Sequence, residues 1–217
     1  LTAIDPYSHR AIWRIAAPMI VSGISVPLLG LVDTAVMGRL DDSRYLAAVA
    51  AGAQLFSVLF MTLNFLRMGT TGITAQGFGG SDGAAVRHGV ARPALIALVL
   101  AALIIALQLP LREAGMGMLG PEAEVGALSR AYFDIRVWSA PAVLLNFVII
   151  GWLLGMQDAR GPLAILLTVN SINIVLDLVF VLGLDMDVRG VAAATVIAEF
   201  CGLALGLWLV RRALAAW

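Results

Sequence analysis

Four carboxylates stand where none belongs on solvation grounds: Asp33, Asp134, Asp177 and Glu199 each interrupt or border a long apolar run. Two arginines, Arg67 and Arg136, share that position. An ionised side chain at the centre of a bilayer costs roughly 2.5–3.5 kcal/mol on insertion scales, so each one implies compensation or use. Asp134 and Arg136 border their segment and are expected to reach the headgroups or pair structurally, while Arg67 is a candidate counter-ion for a buried acid. Asp177 follows Asn173 by four residues, and Asn170 lies three residues further back. On a helix that spacing puts an amide and a carboxylate on one face. Thr195 and Glu199 repeat the spacing, and Asp33 is followed by Thr34. Three polar stripes cannot all face lipid, and the cheapest arrangement turns them towards a common chamber. A carboxylate there, balanced between desolvation and a neighbouring cation, can take up and release a proton, or hold sodium instead.

The elements that must position these groups follow from composition. The chain has 217 residues, 61% hydrophobic and 13% charged, with a mean hydropathy of +0.95. Lipid is the solvent this implies. Spanning the hydrocarbon takes about 20 apolar residues as a helix, and six such segments can be drawn: about 12–37, 45–72, 93–111, 137–156, 161–184 and 188–210. Backbone groups in lipid must be satisfied within the segment, and no ten-residue alternation suggests a barrel. The fold class is therefore an all-α membrane protein, a six-helix bundle in a single domain, 1–217. Pro18 and Pro27 interrupt the first segment on the approach to Asp33, where missing hydrogen bonds permit a bend; they are the candidate hinges.

Charge sets the expected orientation. All 14 basic residues are arginine, balanced by 14 acids. With the N-terminus inside, Arg10, Arg14, Arg87, Arg92, Arg160, Arg211 and Arg212 collect on the inner side, against Arg39, Arg44, Arg112, Arg130 and Arg189 outside. The expectation is a multi-pass protein of the inner (plasma) membrane with a cytoplasmic N-terminus. Zero net charge and the absence of a basic tail give no nucleic-acid footprint. The single cysteine, Cys201, cannot form an internal disulfide. Residues 77–83, GFGGSDG, lack the lysine and hydroxyl of a phosphate loop and read as a connection. The chain opens on Leu1 without a cleavable leader pattern and is expected to be a piece of something longer.

The runs Pro27 to Gly38 (PLLGLVDTAVMG), Phe65 to Gly72 (FLRMGTTG), Thr74 to Gln76, Gly155 to Pro162 (GMQDARGP) and Asn173 to Asp177 (NIVLD) resemble the multidrug and toxic compound extrusion (MATE) transporters, specifically their DinF-type branch. The resemblance implies an antiporter that expels amphipathic, often cationic compounds against protons or sodium, with two six-helix lobes around a cleft. This chain is similar to the N-terminal lobe; a C-terminal six-helix lobe is absent from it and is the implied partner, along with the lipid bilayer. Carried over by motif, Asp33, Asn173, Asp177 and Thr195 match the cation site, with Asp33, Asn173 and Asp177 as the candidate sodium ligands. Pro18 matches the bending proline. Glu199, Arg67 and Asn170 are added on chemistry. No cofactor is implied beyond the coupling ion, and the DinF-type resemblance tilts that ion towards the proton.

Two other readings compete. An intramembrane hydrolase needs a nucleophile with a base in reach, and the two histidines, His9 and His88, fall in a tail and a connection. A flippase for lipid or polyprenyl-linked glycans is the alternative within a related fold; its pocket should carry several cations for phosphate, and only Arg67 and Arg136 are candidates.

Overall fold

The computed structural model describes His9, Trp13, Ala16, Ala17, Ile20 and residues 43–215. Among them all regular structure is helical. The helices are α1 (Ser43–Leu63), α2 (Phe65–Gly79), α3 (Gly83–Ala106), α4 (Gln108–Leu119), α5 (Ala123–Arg136), α6 (Ala140–Gly155), α7 (Arg160–Asp177) and α8 (Asp187–Leu214). A 3₁₀ turn, Val137–Ser139, joins α5 to α6, and a π-helical stretch, Leu178–Gly183, prolongs α7. Among the described residues, five continuous stretches are long and apolar enough to cross a membrane: Ser43–Gly79, Gly83–Ala106, Ala123–Gly155, Arg160–Gly183 and Asp187–Leu214. Most of the segment drawn at 12–37, including Pro18, Pro27 and Asp33, lies outside the described residues.

Two connections differ from expectation. The one drawn at 77–92 shrinks to a turn at 80–82, because the Asp82 carboxylate accepts a hydrogen bond from the Ala85 amide (3.0 Å) and starts α3 ten residues before Pro93. Arg87, His88 and Arg92 therefore belong to a helix, and Pro93 lies inside it. The connection drawn at 112–130 contains most of α4, which is only 12 residues long, and about half of α5, whose charges precede the apolar part of the Ala123–Gly155 stretch. Gly120 ends α4 in the left-handed region (φ 56°) and returns its amide to the Met116 carbonyl, a conformation that favours glycine. Asp158 starts α7 in the same way as Asp82 starts α3, accepting from the Arg160 and Gly161 amides.

The centre of the bundle is α6. Its sequence, APAVLLNFVIIGWLLG, is apolar around the whole circumference and is buried on nearly every side, as such a helix must be. Trp152, fully enclosed, donates its indole N–H to the Val86 carbonyl of α3 (2.8 Å). Gly151 lets α2 approach so closely that a Cβ there would overlap the Arg67 carbonyl. The α7–α8 contact rests on a stripe of small residues in α8: Gly190, Ala194, Ala198, Gly202 and Gly206 are all buried and recur every fourth position. Small side chains at that spacing let two backbones come together where lipid gives no hydrophobic drive. The α2–α6 and α7–α8 contacts are the most extensive in the bundle.

At the end of the bundle where α4 meets α5, Asp134 takes the structural pairing that was one of its two expected roles. Arg112 donates to both Asp134 carboxylate oxygens (2.7 and 2.8 Å) and to Glu113 (2.9 Å), and Arg130 donates to Glu113 (3.2 Å). Arg44 pairs with Glu124 nearby. Hydrogen bonds from Arg130 and then Arg112 hold the Glu113 carboxyl below its ordinary range, and Asp134 raises Arg112. These groups are largely solvated, so the cluster orients the short helices more than it stabilises them.

Candidate functional site

The close α7–α8 approach sets two polar stripes side by side. Asn173 of α7 donates from Nδ2 to Thr195 Oγ1 of α8 at 3.3 Å. The Thr195 hydroxyl in turn donates to the Val191 carbonyl, one turn back on its own helix (2.9 Å). Thr195 Oγ1 thus uses its own proton within α8 and offers a lone pair to the amide opposite, which fixes the amide rotamer. Asn173 Oδ1 is left directed away from that bond. Asn173 is 1% exposed and Asp177, one turn further along α7, is 0% exposed. Directly after Asp177 the helix widens into the π-helical stretch, a local irregularity common at functional positions.

Beside this pair opens a cavity of about 300 Å³. Asn170 and Asn173 of α7, with Thr195 and Glu199 of α8, face it. The spacing read from the sequence therefore does bring the two stripes to one chamber. Asp177 is not among the groups lining it and lies enclosed within the protein. The remaining wall is apolar and aromatic, including Phe147 and Tyr132. Phe147 stands edge-on to Phe60 (6.4 Å), which continues through Phe56 to Phe133.

Two further groups line the cavity that sequence reasoning did not place there. Asn146, at mid-length in α6, donates from Nδ2 to Glu199 Oε2 (3.1 Å) and to the Glu199 carbonyl (3.2 Å). Its signal is present in the sequence, since an amide amid VLLNFVII is as anomalous as Asn173. Arg136, expected at the headgroups, reaches the cavity instead, its guanidinium carbon 5.5 Å from the centre of the Phe56 ring. That distance suits cation–π attraction. Arg67 goes elsewhere: it is half-buried on α2, its carbonyl against Gly151, and it does not line the chamber. Asp33, Pro18 and Pro27 are outside the described residues. Among those described, no group of three or more His, Cys, Asp or Glu could hold a metal ion. A sodium site would instead draw on amide and hydroxyl oxygens with one or two carboxylates, all hard donors suited to a hard cation.

Comparison with known proteins bears on the family and the fold. The MatE family model matches residues 18–179. DNA damage-inducible protein F of Escherichia coli is 49% identical over 207 residues, covering 95% of this chain and 45% of that protein. Multidrug export protein MepA of Staphylococcus aureus is 23% identical over 190 residues, covering 88% and 42% respectively. Among solved structures, a MATE crystallised in complex with MaD3S superimposes with a TM-score of 0.85 at 26% identity, over 93% of this chain and 46% of that one. The chain spans about half the length of the curated relatives it matches.

Proposed function

The chain belongs to the MatE family, and from that premise we propose that it forms the N-terminal lobe of a cation-coupled antiporter exporting amphipathic or cationic small molecules. Its relatives are multi-pass membrane transporters rather than enzymes, and relatives in the family include proteins named for multidrug export. The observation that carries the reading is the pairing of Asn173 with Thr195 on the wall of a chamber that also holds Asn170 and Glu199, with Asp177 enclosed one turn away. Buried amide and hydroxyl oxygens beside a carboxylate make a site for a small cation, and an aromatic wall makes a surface for an organic one.

In this account Asp33, Asn173, Asp177 and Thr195 hold the coupling ion. A proton is preferred over sodium, as the DinF-type resemblance of the sequence implies; sodium would sit among Asp33, Asn173 and Asp177. Neutralising Asp177 changes the electrostatics of the α7–α8 contact, and bending of the first segment at Pro18 and Pro27 reshapes the chamber to release the substrate. The protein resides in the inner membrane with its N-terminus in the cytoplasm, and a second lobe completes the cleft, since alternating access rocks one half against the other. A flippase for phosphate-linked lipids is less well supported, because Arg136 is the one cation lining the chamber among the described residues.

The test is substrate-driven ion movement in liposomes containing the full-length protein, with proton and sodium gradients imposed separately. Dye efflux that follows the proton gradient, and fails in Asp33→Asn and Asp177→Asn, is the expected result. Efflux indifferent to both gradients would remove the antiporter reading.

A further inference from the structure

The polar groups on the α6 side of the chamber do not belong to the cation site just described. Asn146 is 4% exposed, and its two bonds to Glu199 leave its Oδ1 buried without a hydrogen-bond partner. The amide cannot be turned to relieve this, because the flipped form would set its oxygen against both a carboxylate and a carbonyl. Across the same cavity Arg136 has its Nε–H buried and likewise unpartnered. Arg136 and Glu199 carry opposite charges into one chamber, yet no ion pair closes between them; the ion pairs among the described residues are those of Arg44, Arg112 and Arg130. Opposite charges in a poorly solvated space attract strongly. Held apart, with Asn146 hydrogen-bonded to the one and Phe56 stacked under the other, they stand on the wall of one volume as an acidic and a basic group.

We propose that Glu199 and Asn146 on one wall and Arg136 on the other form a mixed-charge subsite that recognises zwitterionic amphiphiles. The substrate's ammonium is taken by Glu199, which Asn146 holds in place, its carboxylate by the Arg136 guanidinium, and its flat apolar body by the aromatic wall at Phe147. This inference rests on the exporter reading and narrows its substrate class. A pocket for cations alone would gain nothing from an unpaired guanidinium, whose charge repels them. Arg136 is thus a specificity residue: it admits a carboxylate that a uniformly acidic chamber would reject.

The decisive comparison uses one dye core in two charge states, rhodamine B (a zwitterion) and rhodamine B ethyl ester (a cation). Binding to the full-length protein in detergent is followed by fluorescence polarisation. Loss of one charge-assisted hydrogen bond predicts that Arg136→Gln weakens rhodamine B by about tenfold or more while the ester changes by less than about twofold or tightens. Arg136→Lys should recover part of the zwitterion affinity, which excludes misfolding as the cause. Glu199→Gln should weaken both dyes. Equal losses for the two dyes in Arg136→Gln, or no loss in either, would overturn the subsite and leave the exporter reading intact. Binding of neither dye to the wild-type protein would remove both.

Discussion

Gly202 is the point at which the packing beneath the proposed site can be tested without removing any polar group. It lies on the small-residue stripe of α8, where a Cβ would overlap Val169 Cγ2 of α7, with Asn146 Nδ2 at 3.5 Å and Ile165 Cγ2 at 3.6 Å. Val169 and Ile165 belong to a buried cluster and have little room to yield. Gly202→Ala must therefore push α8 from α7 or force Val169 off its rotamer, at a cost of about 1–3 kcal/mol for overpacking. Helix propensity favours alanine by roughly 1 kcal/mol, so the net loss falls towards the lower half of that range. The displacement also lengthens the 3.3 Å Asn173–Thr195 bond, so dye efflux should fall together with stability. The assay is thermal unfolding of the full-length protein in detergent, run as a double-mutant cycle with Val169→Ala. Removing the struck methyl groups should restore much of the loss, giving a coupling energy of about 1 kcal/mol or more. A Gly202→Ala protein as stable as wild type, or additive losses in the cycle, would show that α7 and α8 are not in the close contact on which the site geometry depends.

Three other outcomes follow from single contacts. Thr195→Val keeps shape but removes the acceptor for Asn173 Nδ2, and an unpaired buried amide should lower apparent coupling-ion affinity by up to about tenfold, read from the ion dependence of efflux. Trp152→Phe loses the 2.8 Å bond to the Val86 carbonyl and part of a fully buried ring, and should cost about 1–3 kcal/mol in thermal unfolding with the chamber unchanged. Glu113 has its folded pKa depressed below 4.5 by Arg130 and Arg112, so the stabilisation it gives is complete above that value and disappears as pH falls through the depressed one. Hydrogen exchange in α4 should accelerate over that acidic window in wild type, while Glu113→Gln should exchange fast throughout.

The architecture was legible because lipid leaves a chain few options: long apolar runs must be helices, and polar residues at helical spacing must face inwards. That argument placed Asn170, Asn173, Thr195 and Glu199 on one chamber before any contact was known. It failed where charge or shortness hides a helix. Gln108–Leu119 is too short to cross a membrane, the charges along Ala123–Arg136 hide the start of a span that runs on to Gly155, and the charges of Arg87, His88 and Arg92 disguised the first turns of α3. Counting charges rather than all polar atoms left out Asn146. Arg136 could not be assigned from position alone, because whether an arginine at the edge of an apolar run snorkels outwards or reaches inwards depends on its neighbours. Phe56, 80 residues earlier, is one of them.

The central claim, that occupancy of Asp177 and its neighbours by the coupling ion is linked to release of the substrate, has one direct measurement. Substrate is added to the full-length protein in unbuffered detergent solution and the protons released are counted by a pH-sensitive dye. The account predicts a release that saturates with substrate in wild type and is lost in Asp177→Asn, although that variant still binds dye. Equal proton release from the two proteins would contradict it.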